Sequence, residues 1–289
     1  MRLCHAALVA MALSATIFIP SVQGDVVIYN NIPAPVPPNV DSLGYQANQT
    51  AEFGGLIQFA GTARNLTQVT VLMSDWALAS DYSSSDPTWS YPLTMNLYNV
   101  NNSGVTPEPG SLIKTVTQTF AIPWRPPASP GCGTAWLASD GNCYNGLAFE
   151  ATFDFTGTTV PDQLIYGLAF NTTTWGYTPT GVAGPYESLN FGYNDVSPPS
   201  VGSQPLPDTA YWNTETAGDY TDGGAAGVGI FRQDTGWSGY SGAVSFDATS
   251  SVPEPRGTSL LLVTALLGMV LVVRRRRSIS DSTAPRRAS

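Results

Sequence analysis

Histidine-based catalysis is excluded for almost the whole chain, because its only histidine is His5, near the N-terminus. Ser-His-Asp and Cys-His mechanisms need an imidazole that moves a proton, and many zinc sites need one as a ligand. A Ser-Lys dyad would have to use Lys114, which lies in a threonine-rich strand pattern and is expected to be exposed. The residue types that remain for chemistry are carboxylates, cysteines and aromatic rings.

Carboxylate pairs are the first alternative, since glycosidases need only two acids at a suitable separation. Glu150 and Asp154 share the polar face of one strand pattern. Residues four apart on a strand are about 13 Å apart, which is too far for a direct pair. We expect solvated, outward-facing side chains and no catalytic residues, while a carboxylate-based glycosidase with a partner on another strand stays open.

Calcium is the second alternative, because hard cations prefer oxygen ligands. Asp219 and Asp222 lie with Asn213 near a glycine-rich acidic loop, and Asp140-Gly141-Asn142 forms a smaller oxygen cluster. Neither segment has EF-hand spacing, and ordinary acidic turns explain both. The expectation is therefore no cofactor, with calcium at Asp219 and Asp222 as the open alternative.

Aromatic side chains are the third alternative, because ring faces stack on sugar rings. Trp212, Trp237 and Tyr240 lie in loop-like surroundings and are candidate glycan contacts. The competing interpretation is that they anchor loops by packing.

Two cysteines, Cys132 and Cys143, follow the N-terminal segment that contains Cys4. In an oxidising compartment, an isolated pair is most simply a disulfide. It would close a loop of about 12 residues and stabilise the fold by about 3 kcal/mol in the chain-entropy model.

The charge of the central region excludes nucleic-acid binding. Residues 25–255 hold 20 acidic residues but only four basic ones, Arg64, Lys114, Arg125 and Arg232, so their net charge is −16. Such a surface repels phosphates and offers no basic patch.

The elements that must position these residues are β-strands. Apolar residues alternate with polar ones around Val69–Met73, Leu93–Leu97 and Phe149–Phe155, which is typical of half-buried strands. No amphipathic helix is found within 25–250. Short strands between Gly/Pro turns predict one all-β domain over residues 25–250, a β-sandwich with the jelly roll as one form of it. Two loop-rich regions stand out, Trp124–Asn145 around the cysteine pair and Asn194–Ala226. The second is expected to be a long excursion, with a division of the domain as the alternative.

The N-terminus, residues 1–24, has the pattern of a signal peptide. Arg2 precedes an apolar run from Ala6 to Ile19, and small or modest side chains occupy Val22 and Gly24. This length suits a signal better than a spanning helix. We expect signal peptidase to cleave after Gly24, with a retained anchor as the alternative.

The C-terminus has the pattern of a membrane anchor. Gly257–Val273 is uncharged and as a helix would span about 25 Å, the low end for a bilayer. Four arginines follow at once, Arg274, Arg275, Arg276 and Arg277. Arginine blocks resist transfer across the membrane, so residues 278–289 are expected to be a cytoplasmic tail and residues 25–250 to lie outside.

Immediately before this helix stand Pro253, Glu254 and Pro255. The tripeptide, apolar helix and basic tail together resemble the PEP-CTERM sorting signal, here over residues 251–277. The resemblance implies recognition of Pro-Glu-Pro by an exosortase, a membrane enzyme that removes the tail, and delivery to the cell surface or extracellular matrix. A plain single-span anchor with a chance tripeptide is the alternative.

The region 66–240 also resembles an uncharacterised family of secreted bacterial proteins, and this resemblance implies no activity. The segments that carry it are Ser74-Asp75-Trp76, Trp124-Arg125-Pro126, Asn145–Phe149, Tyr166–Thr172, Gly184-Pro185-Tyr186 and Phe231–Trp237.

Taken together, these patterns predict a non-enzymatic exported protein whose precursor is held in the membrane by its C-terminal helix. Its expected partners are signal peptidase and an exosortase-like enzyme, with extracellular polysaccharide as a further partner. A carbohydrate-binding module or a glycoside hydrolase is the alternative.

Overall fold

The computed structural model describes residues 24–45, 50–170, 176–177, 180–182, 189–194, 198–213 and 231–249. These residues form strands and one short 3₁₀ turn, Ala79–Tyr82. The strands are β1 (Asp25–Asn30), β2 (Ser42–Gly44), β3 (Glu52–Gln58), β4 (Asn65–Asp75), β5 (Thr88–Asn101), β6 (Glu108–Pro123), β7 (Trp136–Leu137), β8 (Cys143–Tyr144), β9 (Leu147–Thr159), β10 (Gln163–Ala169), β11 (Gly176–Tyr177), β12 (Thr180–Val182), β13 (Leu189–Asn194), β14 (Thr209–Asn213), β15 (Arg232–Thr235), β16 (Ser241–Gly242) and β17 (Val244–Thr249). The expected all-β class is confirmed.

The first sheet has seven strands and is built around β4. One side of β4 pairs with β9 along its length, while the other side pairs with β17 near its start and with β13 near its end. Strands β1 and β2 then pair with β17 and β13, respectively, and β16 pairs with the end of β13. Every pair is antiparallel.

The second sheet has six strands in the order β15-β14-β3-β10-β5-β6, also antiparallel. Its centre is the pairing of β10 with β3 and β5, in which Ala169 lies opposite both Glu52 and Thr94. Strand β6 pairs with β5 along most of its length and leaves its other side at the sheet edge.

The inner faces of the two sheets share one hydrophobic core. Phe53 of β3 meets Phe191 of β13 edge-to-face with ring centroids 6.2 Å apart, and Phe120 of β6 meets Phe153 of β9 at 4.9 Å. The alternation predicted for β4 and β9 is confirmed on this face, where Val69, Val71, Met73, Ala151, Phe153 and Phe155 are buried.

The outer face of the second sheet differs from the expectation of a half-exposed strand. Thr94, Asn96 and Tyr98, the polar positions of the β5 pattern, are buried. A second hydrophobic cluster covers this face, made of Leu56, Tyr98, Ile165, Tyr211 and Phe231. The sheet is therefore buried on both faces over part of its area.

The loop expected over Asn194–Ala226 contains β14, which lies inside the second sheet between β15 and β3. Its residues Ala210, Tyr211 and Asn213 are buried. The loop-rich pattern did not indicate this strand. Similarly, the region Trp124–Asn145 contains the short hairpin of β7 and β8.

The disulfide between Cys132 and Cys143 is present, with the two Cα atoms 5.6 Å apart. It ties the β7–β8 hairpin to the preceding turn. Two side-chain hydrogen bonds also stabilise the hairpin. Trp136 Nε1 donates to the carbonyl of Gly146 at 2.8 Å, and the Tyr144 hydroxyl donates to Asp140 at 2.7 Å. The predicted disulfide is confirmed.

Both ends of the described domain lie at one pole of the first sheet. Asp25 lies opposite Thr249, which lies opposite Asn65, the first residue of β4. Asp75, the last residue of β4, lies opposite Leu147 and leads to the disulfide hairpin. We call the end of the sheet at Asp25 and Thr249 the terminal pole and the end next to the disulfide hairpin the disulfide pole. The eleven residues of β4 span about 35 Å, so about this distance separates the two poles.

None of the helices among the described residues is long and apolar enough to cross a membrane. The expected signal peptide, Pro253-Glu254-Pro255, Gly257–Val273 and the arginines at 274–277 lie outside the described residues.

Candidate functional site

The structure brings two of the three candidate glycan contacts together. Trp212 lies on β14 opposite Arg232 of β15, and Trp237 follows β15 directly. Their rings meet edge-to-face with centroids 4.8 Å apart.

Both indole N–H groups are already engaged within the fold. Trp212 Nε1 donates to Thr50 Oγ1 and Trp237 Nε1 donates to Asp234 Oδ2, each at 3.0 Å. The Trp237 ring also packs on Phe53 of the core at a centroid distance of 5.0 Å. Half-buried rings with satisfied N–H groups are typical of loop anchors, so this geometry favours packing for the two tryptophans.

Tyr240 is placed differently, because 48% of it is exposed. Its backbone N–H donates to the carbonyl of Trp237 at 2.8 Å, which closes a tight turn. Its ring rests edge-to-face on Tyr193 of β13 with centroids 5.5 Å apart. The Tyr240 ring is thus exposed to solvent and also held in position by its packing on Tyr193.

Tyr240 lines a surface groove of about 550 Å³, within the range of small-ligand sites. We call it the Tyr240 groove. It lies where the end of β13, the segment before β14 and the turn before β16 come together. Its eleven described lining residues include no Asp, Glu, Lys or Arg, and its polar members are Asn194, Ser203, Gln204, Ser238, Tyr240 and Ser241.

The floor of the groove is held by a chain of hydrogen bonds. Asn31 Nδ2 donates to Ser241 Oγ at 3.3 Å, and Ser241 Oγ donates to the Asn194 carbonyl at 3.1 Å. Asn194 Nδ2 returns to the Asn31 carbonyl, and Asn31 Oδ1 accepts from the backbone N–H of Val244 at 2.7 Å. These bonds link β13, β16 and β17 and fix the floor.

One wall of the groove is rigid for a different reason. It includes Pro198, Pro199 and Pro207, whose rings fix the backbone φ angle. Between them, Ser203 exchanges backbone hydrogen bonds with Gln58 of β3, at 2.9 and 3.0 Å. The wall is therefore tied to the second sheet.

The carboxylates considered for acid–base chemistry lie on the exposed side of β9. Glu150 and Asp154 are both exposed, as expected. Asp154 Oδ1 accepts a hydrogen bond from the Thr156 N–H at 2.9 Å, and hydrogen bonds from Thr156 lower the pKa of Asp154.

Two buried carboxyl groups were not singled out from the sequence. Glu52 of β3 accepts hydrogen bonds at Oε1 from Asn96 Nδ2 and the Tyr98 hydroxyl, both at 2.9 Å. Burial raises its pKa to about 7, although these two hydrogen bonds oppose the shift. The Glu52 side chain occupies the space that a side chain at Gly167 would need.

Asp75, at the end of β4, is the second buried carboxyl. It accepts hydrogen bonds from Trp89 Nε1 at 3.2 Å and from the Ala77 N–H at 3.3 Å. Burial raises its pKa well above the ordinary value, while these hydrogen bonds and the charge of Arg125 act in the opposite direction. The bonds join β4 to the turn that follows it and to β5. The position of Asp75, an acidic residue directly after an apolar strand pattern, was the signal in the sequence that could have indicated this buried carboxyl.

The calcium candidates Asp219 and Asp222 lie outside the described residues. Within those residues, no three Asp, Glu, His or Cys side chains come close enough to hold a metal ion. Asp140 uses Oδ1 to accept from the Asn142 N–H at 2.9 Å and Oδ2 to accept from Tyr144, which closes the hairpin turn. These two hydrogen bonds lower the pKa of Asp140.

No protein-family model, curated protein or solved structure matches this chain.

Proposed function

We propose that this chain is a non-enzymatic exported protein of the cell surface or extracellular matrix, sorted through Pro253-Glu254-Pro255 by an exosortase-like enzyme. The observation that carries the proposal is the order of segments along the sequence. A signal-peptide pattern comes first, then a cysteine-paired β domain, then Pro-Glu-Pro, an apolar stretch and an arginine block.

The disulfide supports export. Disulfides form and persist in oxidising compartments and are rare in a reducing cytosol. Cys132 and Cys143 are bonded on a hairpin that also has its own hydrogen bonds. The acidic surface, −16 over residues 25–255, suits a soluble extracellular domain, which we propose to be a β-sandwich with the jelly roll as one form.

The geometry of the two poles supports a tethered precursor. Asp25 and Thr249 lie side by side, so an N-terminal signal and a C-terminal anchor would leave from the same end of the domain. In the precursor the arginines at 274–277 would stay cytoplasmic. The disulfide pole would then face away from the membrane.

A second copy of the tripeptide, Pro107-Glu108-Pro109, supplies an internal comparison. The Glu108 carboxylate accepts from the Gln233 N–H at 3.1 Å, and the Pro107 carbonyl accepts from the Tyr211 hydroxyl at 2.8 Å. Glu108 and Pro109 form the start of β6, where they pair with Asn101 and Val100 of β5. A sequence held in a sheet is not accessible to a processing enzyme, so only the copy at 253–255 should be used.

The experiment is mass spectrometry of the protein recovered from cells with an active exosortase. We expect the C-terminus to lie close to Pro255, and residues 256–289 to be retained when the exosortase gene is deleted. Glu254→Ala should block processing, whereas Glu108→Ala, the matched control, should be processed normally. Disulfide formation on a non-reducing gel reports that each variant was exported and folded. Wild-type protein that keeps residues 256–289 would overturn the proposal.

A carbohydrate-binding role is the second candidate, and the observation that favours it is the Tyr240 groove, whose described lining residues are polar or apolar but not charged. A glycan array would test for binding, and a screen for hydrolysis of the polysaccharides that bind would separate a binding protein from a carboxylate-based glycosidase.

A further inference from the structure

The Tyr240 groove differs in charge from the rest of the domain. Residues 25–255 carry 20 acidic side chains, yet none of the groove's described lining residues is charged. A cationic ligand would gain no ion pair from these described residues, and an anionic ligand would be repelled by the surrounding surface. The charge distribution favours a neutral, polar ligand.

Unused hydrogen-bonding groups line the groove. Within the described part of the chain, the Gln204 amide, the Ser238 hydroxyl and the Tyr240 hydroxyl have no hydrogen-bond partner. An amide offers both donors and acceptors, and a hydroxyl offers one donor and two acceptors. Such groups suit a ligand that itself presents hydroxyl groups in both roles.

The exposed ring of Tyr240 adds an apolar surface beside these groups. The face of an aromatic ring carries partial negative charge, which attracts the slightly positive C–H groups on one face of a sugar ring. Tyr193 supports the ring from one side, and the turn at Trp237 holds its backbone. Little conformational freedom is lost when a ligand stacks on a ring that is already held.

We infer that the Tyr240 groove binds a short stretch of a neutral polysaccharide, with Tyr240 as the stacking platform and Gln204 and Ser238 as hydrogen-bonding partners. The choice of a polysaccharide rests on the proposed function, because a surface or matrix protein meets such chains outside the cell. The hydrogen-bonded floor and the proline wall keep the groove formed without ligand.

The first experiment is titration calorimetry with the intact chain in a detergent that has no sugar headgroup. The probes are cellohexaose, xylohexaose and mannohexaose, which are neutral, and a hexagalacturonate, which is acidic. We expect saturable binding of at least one neutral probe and none of the acidic one. Failure of all three neutral probes, or tighter binding of the acidic probe, would overturn the inference.

Variants then test whether binding occurs at this groove. Tyr240→Ala should lower the association constant about tenfold or more, equal to about 1.4 kcal/mol. Tyr240→Phe keeps the ring and should bind within about threefold of wild type, while Gln204→Ala should weaken binding by about three- to tenfold. Leu137→Ala is the matched control, because Leu137 is 51% exposed on the disulfide hairpin. Wild-type affinity in Tyr240→Ala would place the sugar elsewhere and refute the assignment.

The two proposals fail separately. A chain that is exported and cleaved near Pro255 but binds no neutral hexasaccharide contradicts only the groove assignment. A chain that binds sugar through Tyr240 but keeps residues 256–289 contradicts only the sorting proposal.

Discussion

Glu52 lies in an environment very different from that of an ordinary surface acid. It lies on the outer face of the second sheet and is completely buried. Among the described residues, its second oxygen, Oε2, accepts no hydrogen bond. A buried carboxylate without full compensation is costly, so the neutral form is favoured and the pKa rises to about 7.

This raised pKa has a defined effect on stability. The folded state binds the Glu52 proton more tightly than the unfolded state does, so the stabilisation that this proton gives is fully present below about pH 4.5. This stabilisation is lost as the pH rises towards about 7. The free energy of unfolding is expected to fall by on the order of 3 kcal/mol over this range. Asp75, whose pKa burial also raises, contributes in the same direction.

Glu52→Gln tests this effect, because glutamine keeps the shape and does not titrate. We expect the free energy of unfolding of the variant to fall less between pH 4.5 and 7 than that of wild type, and to exceed it above pH 7. Urea unfolding across this pH range measures both. Glu150→Gln, an exposed change on β9, is the control and should leave the wild-type slope. An unchanged slope in Glu52→Gln would show that another group titrates.

At the scale of the element, the close pairing of β3 and β10 depends on glycine. Glu52 reaches across Gly167 towards Asn96 and Tyr98, and a Cβ at Gly167 would overlap the Glu52 carboxylate. Gly55 on the neighbouring strand is different, because a Cβ there would meet the Tyr166 ring no closer than 3.4 Å.

Gly167→Ala should therefore destabilise the fold by about 1–3 kcal/mol, the usual cost of overpacking. Gly55→Ala, the matched control one strand away, should change the free energy of unfolding by less than about 1 kcal/mol. Denaturant unfolding at one pH measures both. If Gly167→Ala is as stable as Gly55→Ala, the Glu52 side chain does not occupy the space above Gly167.

The two sheets were predictable from sequence to different extents. Strand β9 and the first half of β4 have one buried face, and the alternation of Val69 and Val71 with polar residues shows it directly. From Val71 to Asp75, β4 is buried on both faces. Strand β14 was missed because Pro207 and Asp208 precede it and mark a turn, while its pairing partners β3 and β15 are far away in sequence. The burial of Asn96 could not be read from β5 either, since its environment is made by other strands.

The candidate site, like the sheets, was predictable from the sequence only in part. Residue type and loop-like surroundings pointed to Trp212, Trp237 and Tyr240, because aromatic ring faces can stack on sugar rings. Which of the three is exposed depends on packing against Phe53, Thr50 and Tyr193, contacts between residues distant in the chain. The uncharged groove beside Tyr240 is assembled from three separate segments and has no signature in any one of them.

At the scale of the whole molecule, several segments that resemble the secreted bacterial family meet at the disulfide pole. Arg125 donates from Nε to the Trp76 carbonyl at 2.9 Å and from NH1 to the Thr134 carbonyl at 3.1 Å. Gly146 lies against Trp76, where a larger residue would clash. These contacts join the turn after β4 to the disulfide loop. Trp76, Arg125 and Gly146 therefore have a structural role at this end of the domain.

The domain as a whole carries a large excess of negative charge. Residues 25–255 carry a net charge of −16, and within the described residues the one ion pair is Arg64–Asp162, at 2.8 Å. Like charges repel more strongly in the compact state than in the unfolded chain. Salt shortens the range of this repulsion from about 30 Å at 0.01 M to about 8 Å at 0.15 M.

The thermal midpoint of unfolding should therefore rise between 0.01 and 0.15 M NaCl, by about 2–4 °C if screening restores on the order of 1 kcal/mol. Choline chloride should give the same rise, because screening depends on ionic strength and not on the cation. Calcium chloride at matched ionic strength should add nothing if the acidic loop of Asp219 and Asp222 is an ordinary turn. A further, saturable rise with calcium would instead show that the folded chain has a cation site. A midpoint that falls or stays constant in NaCl would show that repulsion does not limit the stability of this domain.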